Sequence, residues 1–358
     1  MNPNRFKICL VLPSLHTGGM ERVLIELGNY FSENDLFEEI HLISLVESEI
    51  QFSYDNKMCI HIPKFNYKNY SKVTYTLKTF CFLRRKIIEI TPDIILNFGD
   101  HYNSFVILAT SFLKPKVFIS NRRNPFLSNG FLIDFMNKNL YRFASGIIAQ
   151  TEIAKKVITQ KAYNSNIVVI PNPVKSLPNG NLNREKIILN VGRFIESKNQ
   201  KLLLEYFFEL KKYDWRLVFC GEGPKLEEVK DLAKELGLED YVSFEGNVRE
   251  INAFYQKAKI FAFASTSEGF PNVLIEAMAA GVACISFDCE TGPSDIIQNG
   301  EDGYLISNFD HHNYKLKLKE LMENDEKRNI FSKNALKKSL SFSMEIVGKR
   351  YYDFLIKI

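Results

Sequence analysis

Two carboxylates eight residues apart, Glu268 and Glu276, are the side chains whose type and spacing most suggest shared chemistry. They bound the segment SEGFPNVLIE at 267–276. The apolar run Ile260–Ala264 just before it reads as a strand. Gly269 allows close backbone approach, and Pro271 suits the first turn of a helix. Glu276 then falls about one turn inside that helix, which Gly281 closes. In open α/β sheets ligands sit at the carboxyl ends of strands, and a helix start turns its unpaired N–H groups toward a ligand's oxygens. Two carboxylates there would accept hydrogen bonds from hydroxyl groups. Either Glu alone reads equally well as a cap or a solvated carboxylate; the whole arrangement favours a ligand site.

Other strand ends carry related groups. GRFIESKN at 192–199 follows the apolar run Ile187–Val191 and offers Arg193 and Lys198, a fork and a point charge suited to a diphosphate. CGEGP at 220–224 follows Arg216–Cys220, and Gly221 and Gly223 around Glu222 allow a tight turn and the near approach of a base or ribose. Taken singly, each of these has a plain alternative as a glycine turn or a solvated charge. In the first half, HTGGMERV holds Gly18 and Gly19, GDHY holds His101, and ISNRRNP holds Arg122 and Arg123. His311 and His312 read as surface residues.

These groups need a scaffold, and the sequence describes one. Short apolar runs alternate with amphipathic segments. The runs Lys7–Leu12, Ile40–Leu45, Ile94–Phe98, Val117–Ser120, Gly146–Ala149 and Ile167–Ile170 read as strands in the first half, with a helix over Glu21–Phe31. After a polar, Pro- and Gly-containing stretch through Arg184 the alternation resumes. Strands are expected over Ile187–Val191, Arg216–Cys220, Val242–Phe244, Ile260–Ala264, Ala283–Phe287 and Tyr304–Ile306, with helices over Gln200–Lys212 and Lys225–Leu236. Two parallel-sheet domains joined by a linker fit this better than one large sheet. The last segment, Ser343–Ile358, reads as a helix that either caps the second domain or crosses back onto the first.

Composition supports the scaffold. With 46% hydrophobic and 25% charged residues the chain is that of a soluble globular protein. No run approaches the roughly 18–20 apolar residues of a membrane span, and the amino terminus enters an apolar strand without a signal-peptide cleavage pattern. Both point to the cytoplasm. Six cysteines form no C-x-x-C pair, and Cys9, Cys220 and Cys284 read as small buried hydrophobes. Residues 1–175 carry 21 Lys and Arg against 14 Asp and Glu, while the remainder carries 25 against 28. A basic half meets anionic phosphates or an anionic membrane surface, or is simply a solvated face. No stripe interleaves basic with aromatic residues, so nucleic acid is not an expected partner.

Together, GRFIESKN, CGEGP and the E-x7-E segment, with IPNPV at Ile170–Val174 and the N-terminal GGMER, resemble the retaining glycosyltransferases of the GT-B fold, family 4. The resemblance spans nearly the whole chain. ISNRRNP and GPSDII are similar to bacterial members that build O-antigen, capsule and related surface glycans. It implies two Rossmann-like domains facing a central cleft: an acceptor-binding domain over 1–174, a donor-binding domain over 185–342, and a C-terminal helix, 343–358, returning to the first. It further implies that Arg193 and Lys198 hold the diphosphate of a nucleotide sugar, a UDP-sugar. Glu276 would bind ribose, Glu268 the donor sugar, and the backbone at Phe270, Pro271, Asn272, Val273 and Leu274 the sugar and phosphates. Gly221, Glu222 and Gly223 would border the nucleotide, and Gly18 and Gly19 would close over the diphosphate. His101 would stand near the donor sugar or acceptor. Arg122 and Arg123 would stand on the acceptor side, although Asn121 replaces the Glu common before the Arg in that segment. The acceptor implied is a saccharide, lipid-linked, which brings the enzyme to the cytoplasmic membrane face as a peripheral protein. No metal or other cofactor is implied, and no D-x-D motif follows a strand.

Two other readings share these residues. A nucleotide-sugar epimerase of the same fold also binds nucleotide sugars, but EGFPNVLIE favours a transferase. A non-catalytic binding subunit would have lost the donor-contacting side chains, yet Arg193, Lys198, Glu268 and Glu276 are all present. A dehydrogenase is disfavoured because HTGGMERV lacks G-x-G-x-x-G.

Overall fold

The computed structural model describes residues 6–16, 18–175, 184–210 and 214–357. The chain forms two compact units, Met1–Pro173 with Met344–Ile358, and Val174–Ser343. The stretch read as a linker lies, over 176–183, outside the described residues, and the expected Gln200–Lys212 helix is described through Leu210.

The first unit is built on a parallel sheet of β1 (Lys7–Leu12), β2 (Glu39–Ser44), β3 (Cys59–His61), β4 (Ile94–Phe98), β5 (Lys116–Ser120), β6 (Gly146–Ala149) and β7 (Ile167–Val169). Their order is β3-β2-β1-β4-β5-β6-β7. The strands are continuous apolar runs because helices bury both faces. On β1, Ile8, Leu10 and Leu12 join a core with the Gly19–Glu33 helix. Cys9 and Val11 point the other way, toward Phe82, Leu83 and Ile87 of the Lys72–Ile90 helix. β3 was not expected from the sequence. It is three residues long, lies at the sheet edge and is only partly buried, so no apolar run marks it.

The second unit repeats the plan with β8 (Glu185–Val191), β9 (Arg216–Cys220), β10 (Val242–Phe244), β11 (Ala258–Phe263), β12 (Ala283–Asp288) and β13 (Gly303–Ser307), ordered β10-β9-β8-β11-β12-β13. Both units are therefore Rossmann-like, with the strand order reversing beside the first strand. The Met344–Ile356 helix belongs to the first unit and buries Val347, Tyr351 and Leu355 in its core. Gly348 lets it approach the Tyr30 ring, which an added Cβ would strike. Cys9, Cys220 and Cys284 are buried, as is Cys289; Cys59 and Cys81 are exposed.

The Asn272–Ala279 helix shows how the second unit fixes its elements. Pro271 stands one position earlier than expected, as the N-cap, because its ψ of 93° is extended rather than helical. Gly281, at φ +66°, ends the helix: its N–H donates to Met278 at 2.9 Å, and that of Val282 to Ala277 at 3.0 Å. Arg184 reinforces this end. Its guanidinium donates to the Ala280 carbonyl and to those of Tyr255 at 3.0 Å and Ala258 at 2.7 Å. One cation thus satisfies the carboxyl ends of two helices. Arg184→Ala leaves those carbonyls without their charged donor and is expected to lower unfolding free energy by about 1.5–3 kcal/mol. A urea titration reads this directly: an unchanged midpoint would show that water replaces the guanidinium without loss.

Candidate functional site

In the second unit the sequence-predicted residues meet at the carboxyl edge of the sheet. β8 and β11 are neighbours there, with the chain turning away from them in opposite directions. The β8 turn carries Gly192, Arg193 and Lys198; the β9 turn carries Gly221, Glu222 and Gly223; the β11 turn carries Glu268 to Pro271.

Backbone contacts lock the first two turns together. Gly192 N–H donates to Cys220 at 3.0 Å and Phe194 N–H to Glu222 at 2.9 Å, while Lys225 N–H returns to Phe194 at 3.0 Å. Gly221, at φ +141°, faces the Gly192 carbonyl, and Gly223, at φ +155°, faces the Phe194 backbone; a Cβ at either would collide with main chain. The glycines therefore serve the joining of the two turns. Glu222 contributes its carbonyl to that join and leaves its side chain exposed.

The β8 and β11 turns are joined through Ser197, whose carbonyl accepts from Ser265 Oγ at 3.0 Å and Thr266 N–H at 2.8 Å. Across this join Lys198 Nζ pairs with Glu268 Oε1, both side chains largely covered. Lys198 also lies 5.4 Å from the Phe263 ring centre. The cation and the first carboxylate of the motif are thus direct partners. Arg193 differs: its carbonyl accepts from Gln200 Nε2 at 3.1 Å, its side chain is exposed, and no described residue pairs with its guanidinium.

Glu276 sits on the Asn272–Ala279 helix with Oε2 at 3.0 Å from the Tyr255 hydroxyl. That hydroxyl lies 3.2 Å from the Val273 carbonyl, and Tyr255 is fully buried. Phe270, Pro271 and Leu274 are buried, whereas Asn272 and Val273 are partly open. The Leu274 amide donates to the Pro271 carbonyl at 3.0 Å. The side chains of Phe270 and Leu274 serve the core, and the Leu274 N–H is already taken by Pro271.

Two contributors escaped the sequence reading. Tyr255 orients Glu276 from a separate helix, Ile251–Lys257, and no motif signals it. The turn after β12 supports Glu268: Thr291 Oγ1 donates to the Glu268 carbonyl, and Gly292, at φ +100°, packs so closely on Pro271 that a Cβ would strike its ring. The Gly-Pro pair at 292–293 is the signal that marks this turn.

The first unit holds its own cluster at the carboxyl edge of its sheet. Past β4, Gly99 at φ +125° turns the chain into Asp100 and His101. Past β5, the Arg122 amide donates to Asp100 Oδ2 at 2.8 Å. The Arg122 guanidinium turns inward, 3.4 Å from the Phe98 ring centre. It donates to the Tyr351 hydroxyl at 3.0 Å and to Asn172 Oδ1. Arg122 therefore ties the β5 turn to the C-terminal helix. Arg123 is exposed, and its Nη1 lies 2.7 Å from His101 Nε2 and 3.0 Å from Asn129 Oδ1. A guanidinium only donates, so Nε2 of His101 accepts. Gly18 caps the Gly19–Glu33 helix in extended backbone, and Gly19 is exposed. The Glu21 carboxylate folds against Gly18, where a Cβ would meet it, and burial pushes that carboxyl up.

Known proteins are similar to this chain in sequence and in fold. A family described as "Glycosyl transferases group 1" matches residues 175–338, and "Glycosyltransferase Family 4" matches residues 17–176. An uncharacterized glycosyltransferase of Haemophilus influenzae is 30% identical over 80% of this chain and 82% of its own. The GalNAc-alpha-(1->4)-GalNAc-alpha-(1->3)-diNAcBac-PP-undecaprenol alpha-1,4-N-acetyl-D-galactosaminyltransferase of Campylobacter jejuni is 26% identical over 98% of this chain and 99% of its own. In fold, the Anabaena HepE structure in complex with UDP and glucose superposes with a TM-score of 0.82 at 15% identity, covering 99% of this chain and all of that one.

Burial pushes the Asp100 carboxyl above the ordinary carboxylate range, against the opposing effects of the Arg122 amide and the nearby guanidinium charges. A raised native pKa means that the folded state holds the proton more tightly than the unfolded chain. The resulting stability is present below the unfolded value and is lost as pH rises through the native one. Asp100→Asn keeps an acceptor for Arg122 and removes the charge. Urea unfolding across pH is expected to show the wild type losing ground to the variant between the ordinary Asp value and the raised one. A difference that stays flat across that window would show that the buried carboxylate carries no such cost.

Proposed function

Because the chain belongs to glycosyltransferase family 4, we propose that it moves a hexose or N-acetylhexosamine, with retention, from a UDP-sugar to a lipid-linked saccharide during bacterial surface-polysaccharide synthesis. The observation that carries this reading is the convergence of Arg193, the Lys198–Glu268 pair and the Tyr255-held Glu276 on neighbouring strand ends of one sheet. Such an edge suits a nucleoside diphosphate, with cations for phosphate and carboxylates for hydroxyls. UDP is proposed as the nucleotide because HepE, of similar fold, binds it with glucose. A lipid-linked acceptor is proposed because the Campylobacter relative's name gives an undecaprenol-linked one. The setting would be the cytoplasmic membrane face.

In this reading the exposed Arg193 fork takes the diphosphate first. Lys198 shares its remaining N–H donors between phosphate and Glu268, and Glu268 is left to hold a sugar hydroxyl. Glu276 accepts from the ribose hydroxyls in an orientation fixed by Tyr255. The first turn of the Asn272–Ala279 helix turns its partial positive charge toward the same oxygens. The negative charge that develops on the leaving diphosphate is offset by Arg193 and Lys198, without a metal. The acceptor hydroxyl attacks the anomeric carbon from the face the diphosphate leaves and gives its proton to the departing phosphate oxygen. Glu268 is thus a binding group, not a nucleophile. In the first unit Arg123 and His101 face the acceptor, and Arg122 positions their turn.

A thermal-shift screen against UDP, GDP, ADP and CMP and their sugar conjugates tests this. A ligand at about a hundred times its Kd adds roughly 2.7 kcal/mol, a shift of about 2–4 °C for a chain of this size. UDP or its conjugates are expected to give that shift, and Arg193→Ala and Glu276→Ala to remove it. Arg193→Ala is also expected to slow turnover by about 10²–10³-fold, the scale of losing a charge-stabilising donor. Stabilisation by none of these nucleotides, with wild-type behaviour in both variants, would overturn the reading.

A further inference from the structure

The basic excess of the first half is concentrated in two stretches. Residues 57–88 hold eight Lys and Arg and no Asp or Glu; residues 114–161 hold nine against two. The first contains most of the Lys72–Ile90 helix and the second the Phe131–Leu140 helix. These flank the Asn103–Ala109 helix, so both lie on one side of the first sheet.

The same two helices leave large apolar side chains in solvent. Phe131 is 89% exposed, Leu132 67% and Phe135 59%, with the Phe131 and Phe135 rings stacked at 6.5 Å. Val73 and Leu77, one turn apart on the other helix, are 70% and 60% exposed. Burying such side chains is favourable, and the chain by itself leaves these five uncovered.

Position explains the arrangement. Both helices follow carboxyl ends of strands, so their first turns lie at the sheet edge that carries Arg123 and His101. Asn137 donates to the Asp100 carbonyl at 3.2 Å and so already stands at that edge. Phe131 is six residues nearer the helix start, which at about 1.5 Å per residue carries it up to about 9 Å beyond the edge. Lys138 and Arg142 continue the Phe131–Phe135 stripe, both exposed, and Lys78 stands 4.6 Å from the centre of the Tyr70 ring. The result is a set of protruding apolar tips among cations.

We propose that this face docks on an anionic lipid bilayer, with Phe131, Leu132 and Phe135 entering the headgroup boundary and Lys78, Lys138 and Arg142 resting on lipid phosphates. Charge complementarity selects this occupant. The centres of protein–protein interfaces are depleted in Lys, whereas interfacial helices combine Phe and Leu with Lys and Arg in this way. Among the described residues no helix is long and apolar enough to cross a membrane, so attachment by this face is in-plane. That the docked lipid also presents the acceptor rests on the function proposed above; the docking itself does not.

The full chain is sedimented with vesicles of phosphatidylcholine alone and with vesicles about one-third phosphatidylglycerol, at low and high salt. Binding to the anionic vesicles that weakens with salt is expected. Phe131→Ser with Phe135→Ser, and separately Lys78→Glu with Lys138→Glu, are each expected to lower partitioning by about tenfold or more. Transfer to a water-soluble acceptor should be unchanged in both. Phe131→Trp supplies a second readout, because Trp215, the chain's one tryptophan, is buried in the second unit; its emission should shift to the blue on anionic vesicles only. Wild-type partitioning in both double variants would overturn the docking face. So would concentration-dependent dimerisation abolished by the Phe131/Phe135 substitutions, which would assign the tips to a second copy. Vesicle binding without transferase activity, or transfer without binding, separates failure of the functional reading from failure of this one.

Discussion

A strand that pairs parallel with its neighbour must be reached by a crossover, and every crossover leaves from the same edge of the sheet. That constraint governs both units. All pairings between named strands are parallel, so each βα turn opens at the carboxyl edge. Where the order reverses, at β8 and β11, the turns of two neighbouring strands diverge and leave room between them. The turn with Arg193 and Lys198 is far in the chain from the segment with Glu268 and Glu276, 70 residues separating Lys198 from Glu268, and this edge is where topology brings them together.

Topology alone leaves the turns loose, and the contacts among them decide the chemistry. The Gly192 and Gly221 backbones meet closely enough to exclude any side chain, and Ser197 receives two donors from the 265–266 segment. Within this frame Lys198 spends part of its charge on Glu268. The pair is nearly neutral as a whole, which leaves the Arg193 guanidinium exposed beside it. Tyr255 and Thr291, on elements outside the motif, hold Glu276 and the Glu268 backbone respectively. Neither touches the reacting groups in the proposed mechanism; both act by fixing those that do.

The first unit spends polar groups differently. Its two adjacent arginines look alike in sequence but diverge in role. Arg122 is turned in against Phe98 and Tyr351, and so binds the returning C-terminal helix to the sheet edge; Arg123 is left outward beside His101. The exposed aromatic tips of the Phe131–Leu140 helix stand near this edge, so the unit's structural clasp and its candidate docking face share the turns after β4 and β5.

By itself the sequence determined the alternation of buried strands with amphipathic helices, because a strand covered on both faces must be apolar throughout and a helix covered on one must be periodic. That was enough for twelve strands within a residue or two at each end, for the Rossmann-like class, and for the motif E-x7-E with its flanking cations. It missed β3, whose three half-covered edge residues carry no periodic signal, and placed Pro271 inside a helix that it caps. Only the tertiary structure decided what depends on distant residues meeting: that Lys198 pairs with Glu268, that Tyr255 orients Glu276, that Arg122 is a clasp while Arg123 is open, and that the final helix closes the first unit. Local sequence records whether a side chain is apolar or charged. Which partner a charge finds is set by the crossing of strands far apart in the chain, and no single segment encodes that crossing.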